Sequence, residues 1–391
     1  MSAAPVSVRI AAPAAVVASA AAPAVAVYVL VIGESVLPVG TRSDYTTLVA
    51  ALLAIVAAAG LQRSGSARTA WMLASGAIVV LGSVRYLVAS NTTADGLTAV
   101  GLVTAATTGV LLGAAVSGAW STPGGPGALV AGGWAGLLTA PAVGMAMPTA
   151  AVPWTVTQWL LAIALIATVG SAVTVPTGGR GGRVDPQVLV VAAIAAVVLV
   201  AGYRLLGDLL TDHGPDGPWL WPIAVGVLVA SVIGAELVAR QVPSGDDRFV
   251  LAVTGAVAAA YPVLIEVVGG APWWTHLVAV TAVAVGAWAA PYAPYPAAGL
   301  VVAFAVSAAA VLWPAFADAV PLPVRVALVA AGCALALAAS LPGSATVAAL
   351  GMALPVPATA VIGAVWLVPG NPQGSAIALA ATAAVCAWQV R

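Results

Sequence analysis

The chain has 391 residues, of which 62% are hydrophobic and only 6% are charged, and its formal net charge is zero. Soluble domains carry roughly 25% charged residues, so a chain this poor in charge cannot cover its own surface in water. The zero net charge also excludes the basic surface of a nucleic-acid-binding protein. The apolar runs are continuous, unlike the short alternating segments of a transmembrane β-barrel. The composition therefore predicts an all-α polytopic membrane protein with the lipid bilayer as its main partner.

Apolar runs long enough to cross a hydrocarbon core, about 17–25 residues each, follow one another along the chain, separated by turns rich in Pro and Gly. The first run, from Ala11 to Gly33, is longer than the apolar core of a signal peptide and is predicted to be a span. Within 127–175 and 324–368, prolines leave open whether helices end or kink. The sequence predicts about fourteen transmembrane helices, at 12–34, 45–61, 69–88, 96–120, 127–147, 152–175, 186–207, 218–238, 249–268, 273–290, 297–316, 324–341, 345–368 and 374–390.

The arginines, which make up all twelve basic residues, are distributed unequally between the two sides of this predicted membrane topology. The side of the N-terminus receives Arg9, Arg63, Arg68, Arg180, Arg183, Arg240, Arg248 and Arg391. The opposite side receives Arg42, Arg85, Arg204 and Arg325. Because cytoplasmic loops are the arginine-rich ones, the N- and C-termini are both predicted to be cytoplasmic. The excess of Ala, Val and Gly over Lys suggests a GC-rich bacterial genome, so the predicted location is the inner (plasma) membrane.

Short matches between the two halves of the sequence predict an internal repeat. Val-Ile-Gly precedes a glutamate at both Glu34 and Glu236. Asp44 and Asp246 are separated by the same number of residues as these two glutamates. Further matches keep the same order along the chain, so spans 1–7 in residues 1–211 pair with spans 8–14 in residues 212–391. An odd number of spans in each half inserts the second half upside down. The sequence thus predicts a seven-plus-seven inverted repeat.

Inverted repeats are typical of secondary transporters, which bind their substrate near the middle of the membrane. The predicted function is therefore a permease. Its predicted substrate is a small apolar or amphipathic molecule, because few polar groups are present to solvate an ion. Coupling to proton movement is a further hypothesis. Two alternatives stay open. A non-catalytic scaffold subunit of an envelope complex would also need few polar residues. A glycosyltransferase that uses polyprenyl-phosphate sugars would place acidic residues in its first outward loop, where Glu34 and Asp44 lie.

Soluble-type catalysis has little to build on in this sequence. The chain has two histidines and two cysteines, and it contains no HExxH, CxxC or phosphate-binding loop motif. Cys333 and Cys386 lie in predicted spans and are interpreted as small packing residues. No catalytic residue, metal site or cofactor is predicted, and the oligomeric state is not addressed by these patterns.

Ionisable side chains within or beside the spans are the candidates for substrate binding or proton coupling, since a charge in the membrane is costly. Glu34 and Glu236 close spans 1 and 8, where they are either interfacial carboxylates or a symmetric pair of proton or cation sites. Arg204 and Asp208 are four residues apart on one helical face, which favours an ion pair within the helix.

The most specific hypothesis concerns Glu266 and His276, which flank a short turn between spans 9 and 10. A histidine that faces a carboxylate there is a candidate proton-coupling pair, because imidazole titrates near neutral pH. The alternative is that both are polar groups at helix ends.

Overall fold

A computed structural model describes residues 6–36, 46–90, 94–145, 154–175, 184, 186–213, 220–241, 247–268, 270–355, 358 and 372–390. These residues contain helices and no strands, which confirms the predicted all-α class. The helices are α1 (Val6–Val36), α2 (Thr46–Ser64), α3 (Ala67–Ser90), α4 (Ala94–Trp120), α5 (Gly125–Met145), α6 (Trp154–Thr174), α7 (Pro186–His213), α8 (Leu220–Gln241), α9 (Asp247–Val268), α10 (Trp273–Ala289), α11 (Pro296–Leu312), α12 (Pro314–Ala319), α13 (Leu322–Ala339), α14 (Ala345–Ala353) and α15 (Pro372–Gln389).

Thirteen of the fourteen predicted spans coincide with a helix of at least 17 residues in the described part of the chain. Among the described residues, eight helices are long and apolar enough to cross a membrane by length and composition, and α7, α10 and α11 contribute shorter apolar segments. The predicted span 345–368 begins as the nine-residue α14, and most of its remainder lies outside the described residues. The six-residue α12 is too short to cross.

Aromatic side chains mark the two ends of α10, although this helix has only 17 residues. Trp273 at its start is 74% exposed and Trp288 near its end is 68% exposed. The ring of Trp288 also contacts that of Tyr292, with their centroids 5.2 Å apart. Indole rings prefer the two membrane interfaces, so this pattern is the one expected for a helix that crosses the bilayer.

The described helices form two compact units. Unit 1 comprises Met1–Val190 together with Ser344–Ala353, and unit 2 comprises Val191–Gly343 together with Leu354–Arg391. This division follows packing contacts, whereas the predicted repeats at 1–211 and 212–391 follow sequence similarity. The repeat boundary stays a prediction.

In unit 1, α1 packs against α5 at very short range because glycines face alanines. A Cβ atom at Gly132 would overlap the carbonyl oxygen of Ala20, and one at Gly136 would stand 2.6 Å from that of Ala24. Small residues four positions apart let helix backbones approach in a bilayer, where packing replaces the hydrophobic effect as the driving force. Residue numbers increase in both helices from the first contact to the second, so α1 and α5 run parallel.

The same arrangement joins α2 to α4. Positions 109 and 113 of α4 are glycines, and Cβ atoms there would overlap the carbonyl oxygens of Ala50 and Ala54 in α2. These two helices therefore also run parallel. Parallel pairing of α1 with α5 and of α2 with α4 is what successive crossings of the membrane require.

Helix α14, which follows α13 in the chain, packs within unit 1 against α2 and α4. Thr346 near its start contacts Gln62 near the end of α2, and Met352 near its end contacts Gly133 of α5. Helix α14 therefore begins on the side of the bundle where α2 ends. In the predicted topology, α6 ends on the same side of the membrane as α2. Six long helices lie between α6 and α14 in the described chain, and six crossings would return the chain to that side. This direction supports the predicted order of spans.

In unit 2, α13 packs against α9, α10 and α11. Gly332 of α13 and Gly299 of α11 face each other, and a Cβ atom at Gly332 would stand 2.6 Å from the Gly299 carbonyl oxygen. Gly286 of α10 meets the backbone of Ala331 in α13 in the same way. Small residues thus set the spacing of helices in both units.

Candidate functional site

A buried ion pair joins α9 to α13 in unit 2. One guanidinium nitrogen of Arg325, Nη1, donates to Oε1 of Glu266 at 2.8 Å and lies 2.7 Å from Oε2. The Nε group of Arg325 also donates to the carbonyl oxygen of Val320 at 3.1 Å, just beyond the end of α12. The Arg325 side chain is 7% exposed, whereas the Glu266 side chain is 35% exposed. Among the side chains that the structure describes, Arg325 is the one charged group that is buried.

Both members of this pair lie at the helix end that disfavours their charge. Arg325 is in the first turn of α13, where the helix dipole favours anions, and Glu266 is in the last turn of α9, where it favours cations. Each charge is thus unfavourable on its own helix and is offset by the partner on the neighbouring helix. The pair also holds these two helix ends together.

The expected pair of Glu266 and His276 is not present. No hydrogen bond or ion pair joins these two described side chains, and Nδ1 of His276 is buried with no hydrogen-bond partner. The reason is the packing of α10, which lies against α13 and not against α9. Thr275, the neighbour of His276, is fully buried, and its hydroxyl also has no partner. Glu266 is directed to α13, so the short turn does not bring it to the histidine.

Glu236 forms a different kind of contact in α8. Its carboxylate pairs with Arg240, one helical turn further along, and Gln389 of α15 also hydrogen-bonds to it. The Arg240 side chain is 72% exposed. This arrangement resembles the interfacial carboxylate that was one of the two interpretations of Glu236.

The remaining candidate residues lie in helices, but their side chains are outside the described part of the structure. Glu34 belongs to α1, while Arg204 and Asp208 belong to α7. Asp44, which was paired with Glu34 in the sequence, lies outside the described residues altogether. The roles predicted for these four residues stay predictions.

The described side chains offer little for metal or nucleophilic chemistry. No cluster of three or more His, Cys, Asp or Glu residues is present among them. Cys333 and Cys386 are buried free thiols, and Sγ of Cys333 is 3.5 Å from the Ala256 carbonyl oxygen. Both thiols therefore serve as small packing groups in the contacts that the structure describes.

Unit 2 also contains a small internal cavity between α9, α11 and α15. Its volume is about 10 Å³, and Pro262, Phe304, Ser307 and Leu379 contribute to its lining. The hydroxyl of Ser307 already donates to the Ala259 carbonyl oxygen at 2.5 Å. A volume of this size is about the smallest that can hold one water molecule.

Sequence reasoning did not identify Arg325 as the partner of Glu266, because Arg325 was considered as one of the four arginines on the side opposite the N-terminus. One signal was present in the sequence. Glu266 is near the C-terminal end of its predicted span and Arg325 is near the N-terminal end of its own, and the helix dipole disfavours each charge there. Two opposite charges in such positions on the same side of the membrane can stabilise each other.

Comparisons with known proteins give a likeness in fold to a solved structure. No protein-family model matches the sequence, and no curated protein matches it. A solved structure that it resembles is the crystal structure of the human organic anion transporter MFSD10 (TETRAN), with a TM-score of 0.53 and 12% identity. The likeness covers 99% of this chain and 100% of that chain. At this identity the likeness establishes the fold alone: the chain has a polytopic all-α fold similar to that of this solved structure, which is a major facilitator superfamily (MFS) transporter.

Proposed function

We propose that this protein is a secondary transporter that moves a small molecule across the membrane. The observation that carries the proposal is the likeness in fold to an MFS transporter over the whole of both chains. The division of the helices into two compact units supports it, because transporters of this fold work by movement of one helical bundle against the other. MFS transporters also contain inverted repeats nested within each half, so an inverted repeat is compatible with the fold, and the seven-plus-seven division stays a prediction.

The substrate class that the described residues favour is small and apolar or amphipathic. The solved structure is named as an organic anion transporter, and a buried cation that is free to bind is one of the groups that favour an organic anion. Arg325, the buried cation in the part of the chain that the structure describes, is already paired with Glu266. An apolar or amphipathic substrate therefore suits the described residues better than an anion does.

Transport is tested with purified protein in liposomes. A thermal-stability screen against small amphipathic compounds and organic anions first selects compounds that raise the unfolding temperature, since a ligand that binds the folded state stabilises it. Uptake of the radiolabelled compound is then compared between protein-containing and empty liposomes. Equal uptake in the two preparations for every stabilising compound contradicts the proposal. Isolation of the protein in a fixed-stoichiometry envelope complex, with no uptake, would favour the scaffold function.

Glu266 is the proposed proton-coupling residue, with Arg325 in place of His276 as its partner. The carboxylate is partly exposed and directly paired with the arginine, whereas glutamine carries no charge and cannot take up a proton. We expect Glu266→Gln to abolish the pH dependence of uptake per amount of folded protein. Uptake is normalised in this way because the variant leaves the buried Arg325 without its charged partner and should be less stable. Glu236→Gln is the matched control, because its partner Arg240 is exposed, and it should keep the wild-type pH profile. Unchanged pH dependence in Glu266→Gln would exclude this role.

The predicted orientation places both termini in the cytoplasm of a bacterial cell. In a variant without native cysteines, a cysteine at Gly179 or Ser244 should resist an impermeant thiol reagent applied to intact cells. A cysteine at Asp216 should react, because its loop is predicted to face outwards. Reaction at the first two positions and protection at Asp216 would reverse the orientation.

A further inference from the structure

Helix α14 belongs to the second half of the sequence but packs in unit 1. We infer that α14 moves together with unit 1 during the transport cycle, and that the turn at residues 340–343 takes up part of the movement. This inference rests on the proposed transport function, because it concerns which helices move as one body. Helix α14 would then move with unit 1, although α13 before it and α15 after it in the chain belong to unit 2.

Burial is the first observation that attaches α14 to unit 1. All nine residues from Ala345 to Ala353 are buried. Among the described helices, α14 packs most extensively against α2 and α4, both of which belong to unit 1. A helix of nine residues is about 14 Å long and too short to fold or to cross the bilayer by itself. Its position is therefore set by the helices around it.

Two specific contacts fix α14 at its two ends. Near the start, the Thr346 hydroxyl donates to Oε1 of Gln62 at 3.3 Å, and Thr346 is fully buried. Near the end, the methyl group of Met352 occupies the space that a side chain at position 133 would fill, and residue 133 is glycine. Because these contacts reach two different helices, α2 and α5, rotation or sliding of α14 would break at least one of them.

The connection before α14 has the features of a hinge. Helix α13 ends at Ala339, and the Ser340 hydroxyl donates to the Ala336 carbonyl oxygen at 2.8 Å, which satisfies an acceptor at the helix end. Leu341 and Pro342 are not helical, and proline removes a helical hydrogen bond because it lacks the amide hydrogen. Short non-helical links of this kind absorb backbone rotation between rigid bodies. Helix α13 on one side and α14 on the other can therefore follow different units.

Cross-linking tests this inference in the full-length protein reconstituted in liposomes. Gln62→Cys and Thr346→Cys are combined in a background in which Cys333 and Cys386 are alanine, and a short bifunctional thiol reagent joins the pair. We expect nearly complete cross-linking at pH 5.5 and at pH 8, both with and without a stabilising ligand. The cross-linked protein should take up substrate at a rate within about twofold of that of the untreated protein. A fraction of molecules that resists cross-linking in any of these conditions would show that α14 leaves α2, and would overturn the inference.

The matched control is the pair Ser75→Cys and Thr168→Cys, which joins α3 to α6 inside unit 1, where the two hydroxyl oxygens are 3.0 Å apart. Cross-linking of this pair should leave uptake unchanged. Loss of uptake by more than tenfold on joining residues 62 and 346, restored by a reductant and not seen with the control pair, would also overturn the inference. Absence of uptake in the wild-type protein would instead contradict the proposed transport function, and the extent of cross-linking would still decide whether α14 stays on α2.

Discussion

Replacing Arg325 with methionine is expected to lower the free energy of unfolding by about 3 kcal/mol. Methionine keeps an unbranched side chain but removes the hydrogen-bonded ion pair with Glu266 and the hydrogen bond to the Val320 carbonyl oxygen. Breaking a buried ion pair on one side costs about 3–5 kcal/mol, because the remaining charge has no partner. We expect the low end of that range because the Glu266 side chain is 35% exposed and water relieves part of the cost. Unfolding in detergent micelles, followed by heating or by denaturant, measures the change.

Two variants separate the ion pair from other effects of this substitution. The double variant Glu266→Gln with Arg325→Met has no unpaired charge, so it should recover more than half of the lost stability. Arg240→Met is the matched control, since Arg240 forms the exposed pair with Glu236, and surface pairs contribute at most about 1 kcal/mol. If Arg325→Met costs no more than Arg240→Met, the pair between α9 and α13 does not stabilise unit 2.

Replacing Gly132 with alanine is expected to destabilise unit 1 by about 1–3 kcal/mol, the usual cost of forcing extra volume into a well-packed interior. The added Cβ atom would overlap the carbonyl oxygen of Ala20. This obstacle is backbone, so no side chain can turn away, and α1 and α5 must separate. The separation would also weaken the neighbouring contact between Gly136 and Ala24. Thermal unfolding of the purified protein measures the loss.

Gly76→Ala is the matched control, because it is the same substitution on a helix of the same unit and no atom lies within 4 Å of the added Cβ. Alanine favours helix more than glycine does by about 1 kcal/mol, so this variant should be as stable as the wild-type protein or more stable. An unchanged unfolding temperature in Gly132→Ala would show that α1 and α5 tolerate a larger distance than the structure has.

The predicted spans agree well with the helices because the bilayer imposes a strong and local constraint. A backbone in hydrocarbon must satisfy its own hydrogen bonds, so every long apolar run becomes a helix. The run around Trp273 to Trp288 shows this directly: its length, its apolar centre and its aromatic ends can all be read from neighbouring residues. The membrane class and most helix positions were therefore predictable from the sequence alone.

Side-chain partners in this protein depend on contacts between residues far apart in the chain. His276 is ten positions from Glu266 and looked like its natural partner, yet the carboxylate meets Arg325, which is 59 positions away. The choice depends on which helix packs against which, and α10 lies on α13. Apolar spans rich in Ala and Val have nearly the same sequence, so the local sequence does not predict which helices pack against each other.

The sequence by itself thus determined the all-α membrane class, the order of the crossings and the set of charges available near the spans, since each depends on the length and polarity of continuous segments. The tertiary structure alone decided that Glu266 pairs with Arg325, that Gly132 and Gly136 hold α5 against α1, and that α14 joins the helices of the first half. The physical reason is that burial in lipid is a property of each segment, whereas close packing depends on the matching shapes of two helix surfaces.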